Sequence, residues 1–194
     1  MKKNICCLVF LFIFASHFSS IAQIREGSKW LNEKAVLKYN VYDGNKPYLL
    51  ILRDIKFNSE ISFNWMMSSP VNTSGKNAIS SIELDSSSNI NIFERDASFK
   101  THPTTVWFSK KIYLALKKKT PIIITINSIE QQLSFKYADK CWAQKAYTGL
   151  QINVLYAETD KGNKFWILDD KDHPLIIKMD CGYRIELFSV LPEY

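Results

Sequence analysis

The chain has 194 residues, 46% of them apolar and 13% aromatic, with 23% charged and a formal charge of +6. At that length one domain is the default, able to bury on the order of 70% of its unfolded surface. A surplus this modest bears on attraction to anionic surfaces rather than on fold. Together with the export signal that opens the chain, it leaves nucleic acid and nucleotide cofactors outside the expected partners.

Met1-Lys2-Lys3-Asn4 is a basic start, Ile5–Ala15 carries no charge, and Ser20-Ile21-Ala22 ends the segment on small residues of the kind a signal peptidase reads. Residues 1–22 are therefore expected to be a cleaved signal peptide, and residues 23–194 a single β-rich domain, periplasmic or secreted. An uncleaved anchor would need about 20 apolar residues, whereas this run gives way after eleven to Ser16 and His17. Cys6 and Cys7 open the apolar run rather than follow it, which is the wrong place for lipid attachment. Loss of Lys2 and Lys3 lowers the charge from +6 to +4, and no second run in the remaining 172 residues is long enough to span a bilayer.

Beyond the leader, period-two alternation dominates. Ile61, Phe63, Trp65 and Met67 fall on one face of a strand, and Leu133-Phe135-Tyr137, Leu150-Ile152-Val154-Tyr156 and Tyr183-Ile185-Leu187 repeat the device. Weaker strands are expected at Val36–Tyr42, Tyr48–Ile55, Ala78–Leu84, Ile90–Phe93, Pro121–Ile126, Lys164–Leu168 and Leu175–Met179. Asp43-Gly44-Asn45, Asp160-Lys161-Gly162-Asn163 and Asp180-Cys181-Gly182 supply turn residues that tolerate positive φ. Strands joined by loops this short imply an antiparallel meander.

One stretch breaks the rhythm. Ser109 is a helix N-cap candidate; Phe108, Ile112, Ala115 and Leu116 share a helical face; Lys117, Lys118 and Lys119 sit where the dipole favours cations, and Pro121 stops the helix. About ten residues cannot hold a helix alone in water, so its apolar face must lie on the sheet. The expected fold is mainly β: a strongly curved antiparallel sheet, a half-barrel, packed around one short amphipathic helix.

That plan resembles the lipoprotein-carrier (Lol-type) β half-barrel and its exported periplasmic relatives. Trp107-Phe108-Ser109 leading into a helix, and Lys164-Phe165-Trp166-Ile167-Leu168-Asp169-Asp170 followed by His173-Pro174-Leu175-Ile176, are the stretches that carry the resemblance. It implies an acyl-chain-holding cavity, with no individual lipid contact carried over.

The chemistry-bearing residues favour binding over catalysis. Asp169, Asp170, Asp172 and His173 form the densest ionisable cluster, where an envelope hydrolase would place a site; Asp is also a turn residue in its own right. Glu83 with Asp85, and Glu94 with Asp96, could pair carboxylates on strand faces, or simply solvate edge strands. No G-x-S-x-G elbow is present, and His102 and His173 both precede proline. In an oxidising compartment Cys141 and Cys181 read first as one disulfide, with two buried free thiols as the alternative; a zinc site joining them to His102 and His173 lacks paired ligand spacing. Lys110, Lys111, Lys117, Lys118 and Lys119 could meet lipid headgroups or remain a solvated helix face.

Five tryptophans and the run Trp65-Met66-Met67 suit an irregular apolar pocket. The expected protein is thus an exported soluble binder of an apolar or lipid-like ligand or a cell-envelope partner, with Ile61, Phe63, Trp65 and Met67 lining the pocket. No catalytic residue, cofactor or metal is assigned. The alternatives are a hydrolase using Asp169, Asp170 and His173, and a scaffold that docks a partner strand on an open sheet edge.

Overall fold

A computed structural model of the chain describes residues 28–44, 46–68, 72–91, 104–145 and 147–192. The expected signal peptide lies outside the described residues, as do Glu94, Asp96, His102 and the second half, Ile92 and Phe93, of the expected strand Ile90–Phe93.

Eleven strands form one sheet. In chain order the elements are β1 (Ala35–Asp43), β2 (Lys46–Phe57), β3 (Ile61–Met67), β4 (Thr73–Ile79), α1 (Ser81–Ser86), β5 (Asn89–Ile90), α2 (Lys110–Lys117), β6 (Ile122–Ile126), β7 (Ile129–Lys145), β8 (Thr148–Thr159), β9 (Lys164–Leu168), β10 (Ile176–Asp180) and β11 (Arg184–Pro192). Across the sheet the order is β4-β3-β2-β1-β11-β10-β9-β8-β7-β6-β5, so the first and last described strands meet where β1 pairs with β11. The expected antiparallel meander holds along most of it. Two contacts are parallel: the short β5 against β6, and Ser189 and Val190 of β11 against Gln144 and Lys145 of β7. The second closes β7 to β11 into a five-strand ring, while β1 to β4 extend from it as a wing ending on the edge strand β4.

Turn chemistry explains the hairpins. Gly44, Gly162 and Gly182 all have positive φ. At the β6–β7 hairpin, where Ile126 pairs directly with Ile129, Asn127 and Ser128 both take positive φ, as a two-residue type I′ turn demands.

Helix α2 is capped as its sequence indicates. The Ser109 hydroxyl accepts from the Ile112 N–H at 3.3 Å and donates to the Ser87 carbonyl at 2.6 Å. At its end Lys119 adopts the left-handed conformation, and the Thr120 and Lys119 N–H groups return to the Ala115 and Leu116 carbonyls. This Schellman arrangement satisfies two otherwise orphaned acceptors. Phe108, Ile112 and Leu116 are fully buried as their spacing predicts, but Tyr113 rather than Ala115 completes the stripe.

The helix and the segment before it fill the concave face. Trp107 lies with its ring 5.2 Å from Phe63, and Phe108 meets Phe165 edge-on at 5.2 Å. Tyr39 and Ile176, from β1 and β10, are joined inside by a hydroxyl-to-carbonyl bond of 3.1 Å. The opposite face is also covered along the middle of β8, where Val154, Leu155, Tyr156 and Ala157 are consecutively buried. Tyr137, Tyr156 and Trp166 stack there in neighbouring strands at 4.7 Å spacings, and the Lys178 ammonium caps the row 4.9 Å from the Trp166 ring.

Three expectations are corrected. The segment Ala78–Leu84 is not one strand: β4 stops at Ile79, and Ser80 opens α1 through a capping box with Glu83. Glu83 and Asp85 are therefore helical residues rather than a strand pair. Tyr137 does not continue the face of Leu133 and Phe135, because an irregularity between Phe135 and Tyr137 sends it to the other side, opposite Tyr156. Cys141 and Cys181 are free thiols, not a disulfide. The register explains this: Cys141 sits opposite Ile152 within the β7–β8 ladder, Cys181 lies in the β10–β11 turn, and β7 and β10 are not neighbours.

Candidate functional site

Helix α2 has a second side. Leu114, 43% exposed, and Ala115 face outward, and with Ile122 at the start of β6 they floor an open groove of about 600 Å³. Lys110, Lys111 and Lys118 rim it together with Asp85 and Thr120. These positions follow from the helical repeat: residues 111, 114, 115 and 118 are neighbours on the face left over when Ile112, Tyr113 and Leu116 turn inward. Lys110 is paired with Asp85 at 3.1 Å, and Lys111 donates to the Ser88 hydroxyl at 3.0 Å. Among the described residues no carboxylate lies within ion-pairing distance of Lys111 or Lys118. The arrangement combines an apolar floor with a cationic rim, which suits a ligand with an alkyl body and an anionic head.

The strand quartet shares one face, as its alternation indicates, and that face points toward Trp107. Ile61 and Phe63 are nearly fully buried there, Phe63 against Trp107. Trp65 and Met67 lie farther along β3 and are half-buried. Trp65 is opposite Gly75 on β4, and a Cβ at Gly75 would come within 2.9 Å of the indole. Ile61 also borders a small cavity of about 250 Å³ with Phe57, Leu84 and His173.

The acidic loop is knitted into the fold. Asp169 accepts from the Tyr113 hydroxyl at 2.7 Å and from the Lys117 ammonium at 2.9 Å. Burial, and then Asp169, push the Tyr113 hydroxyl well above the ordinary tyrosine range. Asp170 accepts from the N–H groups of Asp172 and His173, an Asx turn. The Phe108 N–H donates to the Pro174 carbonyl, stitching the loop to the segment that leads into α2. The His173 ring packs on Phe57 at 4.5 Å, and its Nδ1 is buried with no hydrogen-bond partner among the described residues. Burial lowers its pKa below the usual 6.5, with Asp170 and Asp172 pulling upward and Lys110 downward. Ser59 and Ser81 border the same cavity, but no hydrogen bond from either to His173 is present among the described residues.

The two thiols are poor nucleophiles. Burial, reinforced by Asp139, raises Cys141 to about 11, and burial with Asp180 raises Cys181 to about 12. Among the described residues no three of His, Cys, Asp and Glu stand close enough to hold a metal ion, and no helix is long and apolar enough to cross a membrane.

The α2 groove was half visible in the sequence. The lysine set is plain, whereas its apolar floor depends on Ile122, a residue of the next strand. No protein-family model, curated protein or solved structure matches the chain.

Proposed function

We propose that this chain is an exported binding protein for an apolar, lipid-like ligand with an anionic head, held in the groove along α2. The observation that carries the reading is the pairing of Leu114, Ala115 and Ile122 as floor with Lys111 and Lys118 at the rim. A volume of about 600 Å³ falls inside the range of about 300–1,000 Å³ usual for small-ligand sites. An apolar floor left open to water on a helix otherwise packed into a core is the kind of surface that marks a binding site. The leader-like residues 1–22 point the same way, toward an envelope ligand.

A dansyl-labelled long-chain fatty acid tests it. The acid should bind saturably, with affinity that falls as salt rises, and its methyl ester should bind several-fold more weakly. Lys118→Gln should weaken the acid about ten-fold, the effect of removing one charge contact worth ~1.4 kcal/mol. Leu114→Ser should weaken acid and ester alike. Binding untouched by both substitutions, or no saturable binding at all, removes the assignment.

A further inference from the structure

The structure holds a second groove, at the far end of the ring from α2 and sharing no residue with the first. It opens between the β7–β8 hairpin and strands β1 and β11, and its volume is about 590 Å³. Its lining differs in kind. Trp142, Tyr147 and Tyr42 present aromatic rings, and Asn40, Gln144 and Glu186 stand among them. We propose that this groove binds carbohydrate, with a pyranose ring laid on the indole of Trp142 and its hydroxyls met by the neighbouring amides and carboxylate.

Exposure is the first reason. Trp142 is 64% exposed and Tyr147 is 99% exposed, in a chain whose other described tryptophans are buried or half-buried. Placing that much aromatic surface in water costs hydrophobic free energy that burial would recover, so the position asks for a use.

The second reason is how the ring is held. Trp142 sits diagonally across the β7–β8 ladder from Gly149, and a Cβ at Gly149 would meet the indole at 3.5 Å. One side of the ring is therefore seated over a residue without a side chain, and the other is left to solvent. Tyr42 is fixed as well, with the Arg184 guanidinium 4.2 Å from its ring centre. Both rings are pre-positioned, which limits the entropy lost when a ligand stacks on them.

The third reason is the polar set. A pyranose has C–H faces that pack on aromatic rings and a rim of hydroxyls that both donate and accept. Amide side chains answer with one acceptor and two donors, and a carboxylate with two acceptor oxygens. Glu186 is held by Lys178 at 3.7 Å and by Arg184 at 4.0 Å, with its side chain 39% exposed. An alkyl chain would desolvate the Asn40 and Gln144 amides and offer them no hydrogen bond. A phosphate-rich polymer would meet Glu186 and no lysine among the lining residues.

Co-sedimentation with chitin, cellulose and purified peptidoglycan, followed by tryptophan-fluorescence titration with the matching oligosaccharides, tests the assignment. At least one polymer should retain the protein saturably and perturb its emission. Trp142→Ala should weaken retention ten-fold or more, while Trp142→Phe, which keeps an aromatic plate, should hold within about three-fold; at 64% exposure neither should move the melting temperature appreciably. Leu114→Ser, in the other groove, should leave retention unchanged. Retention by none of the three polymers, equal retention by Trp142→Ala, or capture by immobilised decaproline in place of the polysaccharides would overturn it.

Discussion

Leu116 is the residue whose removal should tell most about how α2 is held. Its side chain is fully buried, whereas Leu114, two positions earlier, is 43% exposed on the same helix. Leu116→Ala deletes three carbon atoms and leaves a cavity that its neighbours fill only in part. Fully buried leucines truncated in this way cost about 2.7–5 kcal/mol, the spread reflecting how far the site collapses. Alanine is the better helix former by a few tenths of a kcal/mol, which trims the expected loss to about 3 kcal/mol. With a urea m-value of about 2 kcal/mol/M for a domain of this size, the midpoint should fall by ~1.5 M. Leu114→Ala should stay within about 0.5 kcal/mol. Lys117→Ala should lie between them, near 0.5–1 kcal/mol, because the ammonium is partly exposed and Asp169 keeps its bond from Tyr113. Equal shifts for Leu114→Ala and Leu116→Ala in urea melts, with m unchanged, would mean that the buried stripe of α2 has been misplaced.

Gly75→Ala should destabilise by about 1–3 kcal/mol and shift tryptophan emission, since the added methyl must displace the Trp65 indole; an unchanged melt and spectrum would show the ring free to swing aside. Stability should decline as pH drops below about 6.5 and continue to decline through the lower native value of His173, because in that window the unfolded chain takes up the proton that the buried ring resists. His173→Gln should flatten that part of the pH profile, and a wild-type slope in the variant assigns the effect elsewhere. In native protein Cys141 and Cys181 should react slowly with a thiol reagent at pH 8 and fully after unfolding, since both are held protonated far above that pH. A Cys141–Cys181 cross-linked peptide in a non-reducing digest is the contrary result.

Alternation made most strands legible, because a buried face imposes a two-residue period wherever it occurs. The quartet Ile61, Phe63, Trp65 and Met67 shares a face for that reason, and β8 carries Leu150, Ile152, Val154 and Tyr156 on one side. Alternation fails at a bulge. Tyr137 reads as the partner of Phe135, but one extra residue turns it to the opposite side. Nor does it report which strands meet at a distance, so neither the β11–β7 contact nor the separation of the two cysteines could be read in advance. Capping chemistry was more local and more readable: Ser109 opened α2 as expected, and Ser80-Ser81-Ile82-Glu83 held the signature of α1 although strand periodicity masked it. Neither groove is fully legible in the sequence, the first showing only its lysines, for one reason. Each joins side chains from elements apart in sequence, Asp85 of α1 with α2 in one case and Tyr42 with Trp142 in the other.

The placement of β11 governs the order of assembly. Its residues are the last described in the chain, and they are flanked by β1 on one side and by β10 and then β7 on the other. During synthesis, β1 has β2 as its only strand partner, and the tip of the β7–β8 ladder has no neighbour, until Arg184–Pro192 emerges. Contacts of such long sequence separation make for slow closure. Strand pairing between the two runs of sheet therefore waits for Arg184–Pro192, which completes both at once. A stop codon just ahead of Arg184 would leave the two runs of sheet held together only by core contacts such as Phe63 on Trp107, rather than yield a smaller copy of the same architecture.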